Sequence, residues 1–325
     1  MKNILVIGSF GQIGSELTPE LRRRYGNANV VAADLSVKKD NPIALEGPVE
    51  TLDVTNQQSI ASIVSKYKID TIFNMAAILS VVAETKPQVA WNVGVNGIFN
   101  CLEVAREYNC ALFTPSSIAA FGPGTPLDQT PQDTLQRPGT MYGVTKVTSE
   151  LLSDYYHKRY GVDTRSVRYP GIISNVTMPG GGTTDYAVEI YYEAVKAGHY
   201  TCFLKKGTFL DMMYMPDALN ATIQLMDADP AKLKHRNSFN ISAMSLEPEM
   251  IAAEIRKHIP GFKLDYLVDD GKQRIADTWP NSMDDSCARA EWHWKPEWNL
   301  ASMTEDMLKA ICEKQAKGLL KVASV

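Results

Sequence analysis

The stretch from residue 4 to residue 34 limits the fold more than any other. Ile4-Leu5-Val6-Ile7 is an unbroken apolar run, of the kind expected for a strand buried in a parallel sheet. Gly8-Ser9-Phe10-Gly11-Gln12-Ile13-Gly14 follows, then a helical stretch to about Tyr25 and a second strand, Val30-Val31-Ala32-Ala33-Asp34. In that order Gly8 allows a tight turn, Gly11 lets backbone amides, Gln12 and Ile13 among them, approach a pyrophosphate, and Gly14 lets helix and strand pack closely. The helix N-terminus adds a favourable field for the anion. Asp34 closes the second strand about 20 residues past the last glycine, where a carboxylate can accept from both ribose hydroxyls. The same charge repels a 2′-phosphate, and Leu35 follows with no adjacent Arg, so NAD is favoured over NADP.

The alternation continues. Leu52-Asp53-Val54-Thr55 ends a short strand and caps a helix to about Tyr67; Asp53 and Val54 are cofactor candidates, although Asp53 could serve only as that helix's charge partner. Residues 69–75 make the next strand, ending in Asn74-Met75-Ala76-Ala77, where small residues let the backbone pass under a ribose. Ser80 follows on the loop at the strand's C-terminal end, the edge at which open α/β sheets bind ligands. It is a candidate substrate contact or simply a solvated loop residue. Residues 89–108 have helical periodicity, and residues 111–115 form a strand that delivers Ser116-Ser117 to the same edge.

Residues 142–160 read as an amphipathic helix with no Pro and a Gly only in its first turn. The i to i+4 spacing puts Tyr142 and Lys146 on one face, where an ammonium stabilises phenolate and lowers a pKa that is normally about 10. Tyr142 could then exchange a proton with a substrate hydroxyl, which Ser117 is placed to hold. Taken alone, Tyr-x-x-x-Lys is weak; three matched groups at strand and helix ends carry more weight.

After a strand over residues 162–169 the alternation loosens. The loop Pro179-Gly180-Gly181-Gly182-Thr183-Thr184-Asp185 precedes a helix over 186–197. Two readings stay open there. Thr184 or Asp185 caps the helix, or the loop receives substrate, with hydroxyls and helix-end amides for a carboxylate and Asp185 for an ammonium. Paired strands are expected over 203–214, a helix over 215–226, a strand over 238–241, a helix over 248–258, a strand over 264–267 and a C-terminal helix. Trp279, Trp292, Trp294 and Trp298 are expected in the core of a small lobe.

Composition narrows the function. A net charge of -4 among 325 residues gives no footprint for nucleic acid, and no apolar span is long enough for a bilayer. Met1-Lys2-Asn3 leads straight into the first strand, without the plan of a signal peptide. The five cysteines are scattered with no Cys-x-x-Cys, as in a reduced intracellular protein, and the five histidines show no ligand spacing with them, so no metal site is expected.

Gly8, Gly11, Gly14, Asp34, Asp53, Asn74 to Ala77, Ser117, Tyr142 and Lys146, in this order, resemble the extended short-chain dehydrogenase/reductase family over nearly the whole chain. The loop 179–185 with Tyr186-Ala187, and Ala276-Asp277-Thr278-Trp279-Pro280, look like the L-threonine 3-dehydrogenases within it. The resemblance implies an α/β fold: a Rossmann doubly wound parallel sheet with a smaller C-terminal α/β substrate lobe. It divides into an NAD-binding part over residues 1–170, with a returning segment at about 203–243, and a substrate lobe over 171–325. It implies NAD-dependent oxidation of the L-threonine 3-hydroxyl to 2-amino-3-oxobutanoate, with Tyr142 as general base. Lys146 lowers the Tyr142 pKa and holds the nicotinamide ribose, and Ser117 donates to the reacting oxygen. Tyr169 falls at a cofactor position, and Ser80, Thr183, Thr184 and Asp185 at substrate positions. A homodimer is implied, built on the Tyr-Lys helix and the one before it, as is a cytoplasmic location, or a mitochondrial one for a processed eukaryotic chain. The alternative is a nucleotide-sugar epimerase or dehydratase with retained NAD. Such relatives carry Asn after the Arg-Tyr pair, where this chain has Arg168-Tyr169-Pro170-Gly171.

Overall fold

The structure is a computed structural model that describes residues 1–176, 180 and 182–320; Pro179 and Gly181 of the glycine-rich loop lie outside the described residues. The first half runs β1 (Ile4–Ile7), α1 (Gly14–Tyr25), β2 (Val30–Asp34), α2 (Pro42–Leu45), β3 (Val49–Thr51), α3 (Gln57–Tyr67), β4 (Thr71–Asn74), α4 (Ser80–Thr85), α5 (Pro87–Trp91), α6 (Gly97–Tyr108), β5 (Ala111–Phe113), β6 (Ser116–Ser117), α7 (Met141–Tyr160), β7 (Thr164–Arg165) and β8 (Val167–Tyr169). The second half adds β9 (Gly171–Ile173), α8 (Tyr186–Ala197), β10 (His199–Cys202), β11 (Leu210–Tyr214), α9 (Met215–Asp227), β12 (Phe239–Asn240), β13 (Met244–Leu246), α10 (Pro248–His258), β14 (Lys263–Tyr266), α11 (Asp270–Ala276), α12 (Ser286–Trp292) and α13 (Leu300–Ala316).

Six strands form one parallel sheet in the order β3-β2-β1-β4-β5-β7. Strand order reverses beside β1, which creates the switch point where α/β sheets hold their ligands. Alternation along β1 feeds both faces: Ile4 and Val6 pack with Leu17 and Leu21 of α1, while Leu5 and Ile7 pack with Ile60 of α3 and Ile98 of α6. The expected Rossmann sheet is therefore present. A third apolar cluster, built on Tyr186, Ile190 and Tyr191 of α8 with Met303 and Met307 of α13, forms the core of the second half.

Short sheets tie the halves together. In β6-β8-β12, Ser116 is opposite Arg168 and Ser117 opposite Tyr169. In β9-β11-β13, Gly171 is opposite Met212. Helix α9 returns beneath the main sheet, with Met215 and Ala218 in the cluster of Ile4 and Val6.

Several expectations of the sequence differ from what forms. Residues 162–169 are two strands rather than one, β7 in the main sheet and β8 between β6 and β12, and Ser80 is the buried first residue of α4 rather than a loop residue. Residues 203–214 are not paired strands: β10 pairs with β14 and β11 with β9 and β13, because residues 203–209 form a turn with Gly207 at φ +81°. The helical stretch 89–108 contains a π turn, Asn92–Asn96, between α5 and α6. Gly94 and Gly97 lie in and just after it, where a Cβ would meet Thr145 of α7 at 3.0 Å and Val54 at 2.9 Å. The cap of α3 is Asn56, whose side chain accepts from Ser59 N, whereas Asp53 accepts from Thr55 two residues further back. Finally, Trp279 belongs to the second-half core, with Trp298 packed against it, but Trp292 and Trp294 pack with Phe239, Ile4 and Val6 under the main sheet.

Candidate active site

The C-terminal edge of β1, β4 and β6 and the start of α8 enclose a cavity of about 270 Å³. Gly8, Gly11, Gln12, Ile13 and Gly14 form one wall of it. Gly8 sits at φ +81°, and a Cβ there would lie 2.8 Å from Ala76 N; a Cβ at Gly14 would overlap the Gly8 carbonyl oxygen. At Gly8 and Gly14 side chains are thus excluded, and backbone is what those positions present. Helix α1 begins at Gly14 with Ile13 as its N-cap and no side-chain cap; Ser15 N and Glu16 N bond to the Gly11 and Ile13 carbonyls, and the positive end of the helix faces the glycine turn.

Asp34 stands at the end of β2 and its carboxylate accepts from Phe10 N at 3.0 Å and Ser36 N at 3.4 Å. It pins the glycine loop, and a carboxylate with about four acceptor sites retains capacity for ribose hydroxyls. Asn74 Oδ1, at the end of β4, is buried with no hydrogen-bond partner. Ala77 lines the cavity, whereas Asp34, Asp53, Val54, Asn74 and Ala76 are not among its lining residues. Val54 is a core side chain, and Asp53 is exposed.

Ser117, Tyr142 and Lys146 meet on the opposite wall. Helix α7 starts at Thr140, whose hydroxyl accepts from Gly143 N at 3.1 Å. Gly143 lets that first turn press on the Ala119 carbonyl and Pro138, which sets Tyr142 against the Ser117 strand. Lys146 is buried and donates from Nζ to Pro115 O at 2.7 Å. Burial pulls its ammonium down to about 8, against the opposing pull of Glu150, so it is mostly cationic at pH 7. Burial pushes the Tyr142 phenol up to about 12, with the Ser117 hydroxyl pulling in the other direction. Lys146 Nζ stands 5.4 Å from the Tyr142 ring centroid, and burial of the phenol outweighs the expected lowering.

Ser80, Thr183, Thr184 and Asp185 complete the cavity. Thr183 Oγ1 is buried and has no partner, a polar group that a ligand would satisfy. Asp185 is buried and its Oδ2 accepts from Gly182 N at 2.5 Å, closing the turn that opens α8. Tyr169 lines the cavity while its hydroxyl bonds to Thr222. Trp279 also lines the cavity, although its sequence context reads as core. The signal was there in the stretch 276–280 that carries the family likeness. Pro115, Gly171 and Ile172 are further walls without any such signal.

A glycine cradle without side chains, an acid at the end of β2 and a Ser-Tyr-Lys set across one cavity make a dinucleotide site with a proton-transfer group. Residues 4–242 match the NAD dependent epimerase/dehydratase family. The chain belongs to that family. Among its relatives, an uncharacterized epimerase/dehydratase of Staphylococcus haemolyticus is 55% identical over 97% of this chain and 99% of its own. The X-ray structure of L-threonine dehydrogenase from Clostridium difficile is 57% identical, covers 97% of this chain and 98% of that one, and superposes with a TM-score of 0.95. The GalE-like L-threonine dehydrogenase of Cupriavidus necator in its holo form is 48% identical over 94% of this chain and 99% of that one, with a TM-score of 0.91. NAD is the cofactor, and the glycine turn before α1, where a Cβ at Gly8 or Gly14 would clash with backbone, fits it.

One cluster lies away from the cavity. His235, Cys287 and Glu291 come together although their spacing in sequence gave no sign of it: His235 Nε2 is 3.9 Å from Cys287 Sγ, and Glu291 bonds the other ring nitrogen. Glu291 also accepts from Lys234 N and His235 N, so its carboxylate serves the loop backbone.

Proposed function

We propose that this chain oxidises the 3-hydroxyl of L-threonine with NAD, giving 2-amino-3-oxobutanoate, NADH and a proton. The observation that carries the reading is full-length likeness to solved L-threonine dehydrogenases combined with Ser117, Tyr142, Lys146 and Thr183 on one cavity. Bound NAD supplies the hydride acceptor and a positive charge on its nicotinamide ring. Gly8 to Gly14 hold the pyrophosphate, with Asp34 on the ribose beside them. Asp53, Val54, Asn74, Ala76, Ala77 and Tyr169 would be the further positions that hold the cofactor. Tyr142 takes the hydroxyl proton of the substrate, Ser117 donates to the reacting oxygen, and Lys146 holds the nicotinamide ribose and supplies a positive charge to the phenol. Thr183, Thr184 and Ser80 receive the substrate carboxylate, and Asp185 favours its ammonium.

The cofactor part is residues 1–170 with the return at about 203–243, and the remainder to residue 325 forms the substrate lobe. A homodimer built on α7 and the helix before it is part of the same reading. Leu151 and Tyr155 of α7 are 62% and 52% exposed, and Val144, Phe99, Val89 and Trp91 are exposed near them. A cytoplasmic setting fits five unpaired cysteines, bacterial relatives and the absence, among the described residues, of a helix long and apolar enough to cross a membrane.

Free NAD mixed with L-threonine should yield NADH absorbance, and neither 3-hydroxybutanoate nor UDP-glucose should match it. A retained cofactor with no net reduction would point instead to the epimerase reading, which the Arg168-Tyr169-Pro170-Gly171 sequence disfavours.

A further inference from the structure

Glu150 lies one helical turn beyond Lys146, so Tyr142, Lys146 and Glu150 follow one another along one face of α7. All the donors that reach its carboxylate come from elsewhere. Arg168 grips it with a fork, Nε to Oε1 at 3.0 Å and Nη2 to Oε2 at 2.8 Å; Gln136 donates to Oε2 at 2.8 Å, and the Ser116 hydroxyl donates to Oε1. Arg168 is held in turn by Gln132 O and Asn240 Oδ1 and lies over the Phe121 ring. Both members of the Glu150–Arg168 pair have only 7% of their side chains exposed.

A buried pair of this kind is often neutral for stability compared with apolar residues of similar volume. Its position suggests a second use. Lys146 is buried, its Nζ donates to the neutral carbonyl of Pro115, and among the described residues it forms no ion pair. An isolated cation there is costly without a nearby opposite charge. Glu150 is the charge that offsets this burial, raising the Lys146 pKa against the desolvation that lowers it. The other charged groups on elements packed against α7 are committed to different partners. Glu84 of α4 accepts from Met141 N, Glu103 and Arg106 of α6 bond each other with Tyr156 on Glu103, and Arg165 of β7 is paired with Asp163. Arg168 of β8 is cationic and bound to Glu150 itself.

We infer that Glu150 is a positioning residue for the reaction: clamped by Arg168 and Ser116, its carboxylate is the counter-charge that keeps the Lys146 ammonium buried beside Tyr142. Ser116 precedes Ser117, and Arg168 precedes Tyr169 on the paired strand, so the same clamp fixes the backbone of two cavity residues. The inference rests on the role given above to Lys146.

The test is the pH profile of kcat/KM for NAD-linked threonine oxidation by the full chain. In Glu150→Gln the counter-charge is gone and Arg168 repels Lys146, so the ammonium loses its proton at lower pH. The alkaline limb should move down by about one pH unit or more, and Glu150→Asp should restore part of the shift. If Glu150→Gln does not fold, Glu150→Gln with Arg168→Met removes both charges, and because Glu150 is the charge that acts on Lys146 the limb should still move down, by less than in Glu150→Gln alone. An alkaline limb that stays at the wild-type position in a variant with wild-type circular dichroism overturns the inference. Lys146→Met separates the two levels. If it is inactive while the Glu150 variants keep the limb, only the role of Glu150 falls. If it turns over at the wild-type rate, the reading of the Ser-Tyr-Lys set falls with it.

Discussion

The two walls of the cavity are made of different material. The glycine wall is built on backbone: at Gly8 and Gly14 a Cβ would clash with neighbouring main chain. The other wall is side chain: Ser80, Thr183, Asp185 and Trp279 arrive from three separate parts of the chain. A backbone wall is specified by local sterics and tolerates almost no substitution. A side-chain wall depends on packing between distant elements, and it can lose function without losing the fold.

Substitutions can break or sharpen this contrast. The largest effect is expected for Gly14→Ala, whose Cβ would overlap the Gly8 carbonyl oxygen. Overpacking of about 2–3 kcal/mol should weaken NAD binding roughly a hundredfold, read by titration of nicotinamide-cofactor fluorescence; unchanged affinity would dissolve the distinction. Next, Thr183→Val removes a buried hydroxyl that has no partner among the described residues. Loss of a hydrogen bond to a charged substrate group, about 1.5–3 kcal/mol, should lower kcat/KM for threonine by roughly 10- to 100-fold while thermal stability holds or rises. A drop in melting temperature with intact kinetics would make Thr183 structural.

Asp185→Asn keeps one acceptor oxygen for Gly182 N while it removes the charge and replaces the other oxygen with an amide donor. Discrimination between threonine and 3-hydroxybutanoate should fall by about fivefold, or roughly 1 kcal/mol; an unchanged ratio would show that the amino group is read elsewhere. The smallest effect tests the second-half core away from either wall. Burial raises the Asp211 carboxyl to about 7, despite backbone amides from Met283 and Ala243. Because the folded pKa lies above the unfolded one, the group's stabilising contribution is present below about pH 4 and is lost as pH rises through about 7. Asp211→Asn should remove that loss, so wild type and variant melting curves should converge towards acid pH. Parallel curves across the window would show that Asp211 does not titrate there.

Much of the first half was legible because its signals are local. The run Ile4 to Ile7, the glycine spacing and Asp34 each specify a conformation or a chemistry within a few residues of themselves, and the helix bearing Tyr142 and Lys146 begins one residue before the expected start. The second half resisted the same reading. Strand β10 pairs with β14 some sixty residues later (His199↔Lys263), and nothing in residues 199–202 announces that partner. Trp279 read as core and is also cavity wall, because burial looks alike from the sequence whether the neighbour is protein or ligand.

The sequence by itself determined the parallel sheet, the nucleotide turn and the Ser-Tyr-Lys set, since short-range sterics and helical spacing act before any long-range contact forms. Only the tertiary structure decided that Glu150 is held by Arg168 beside Lys146, that Thr183 faces the cavity without a partner, and that burial drives Lys146 down and Tyr142 up. Desolvation and unsatisfied hydrogen bonds belong to the packed interior, and no residue carries them until its neighbours have closed around it.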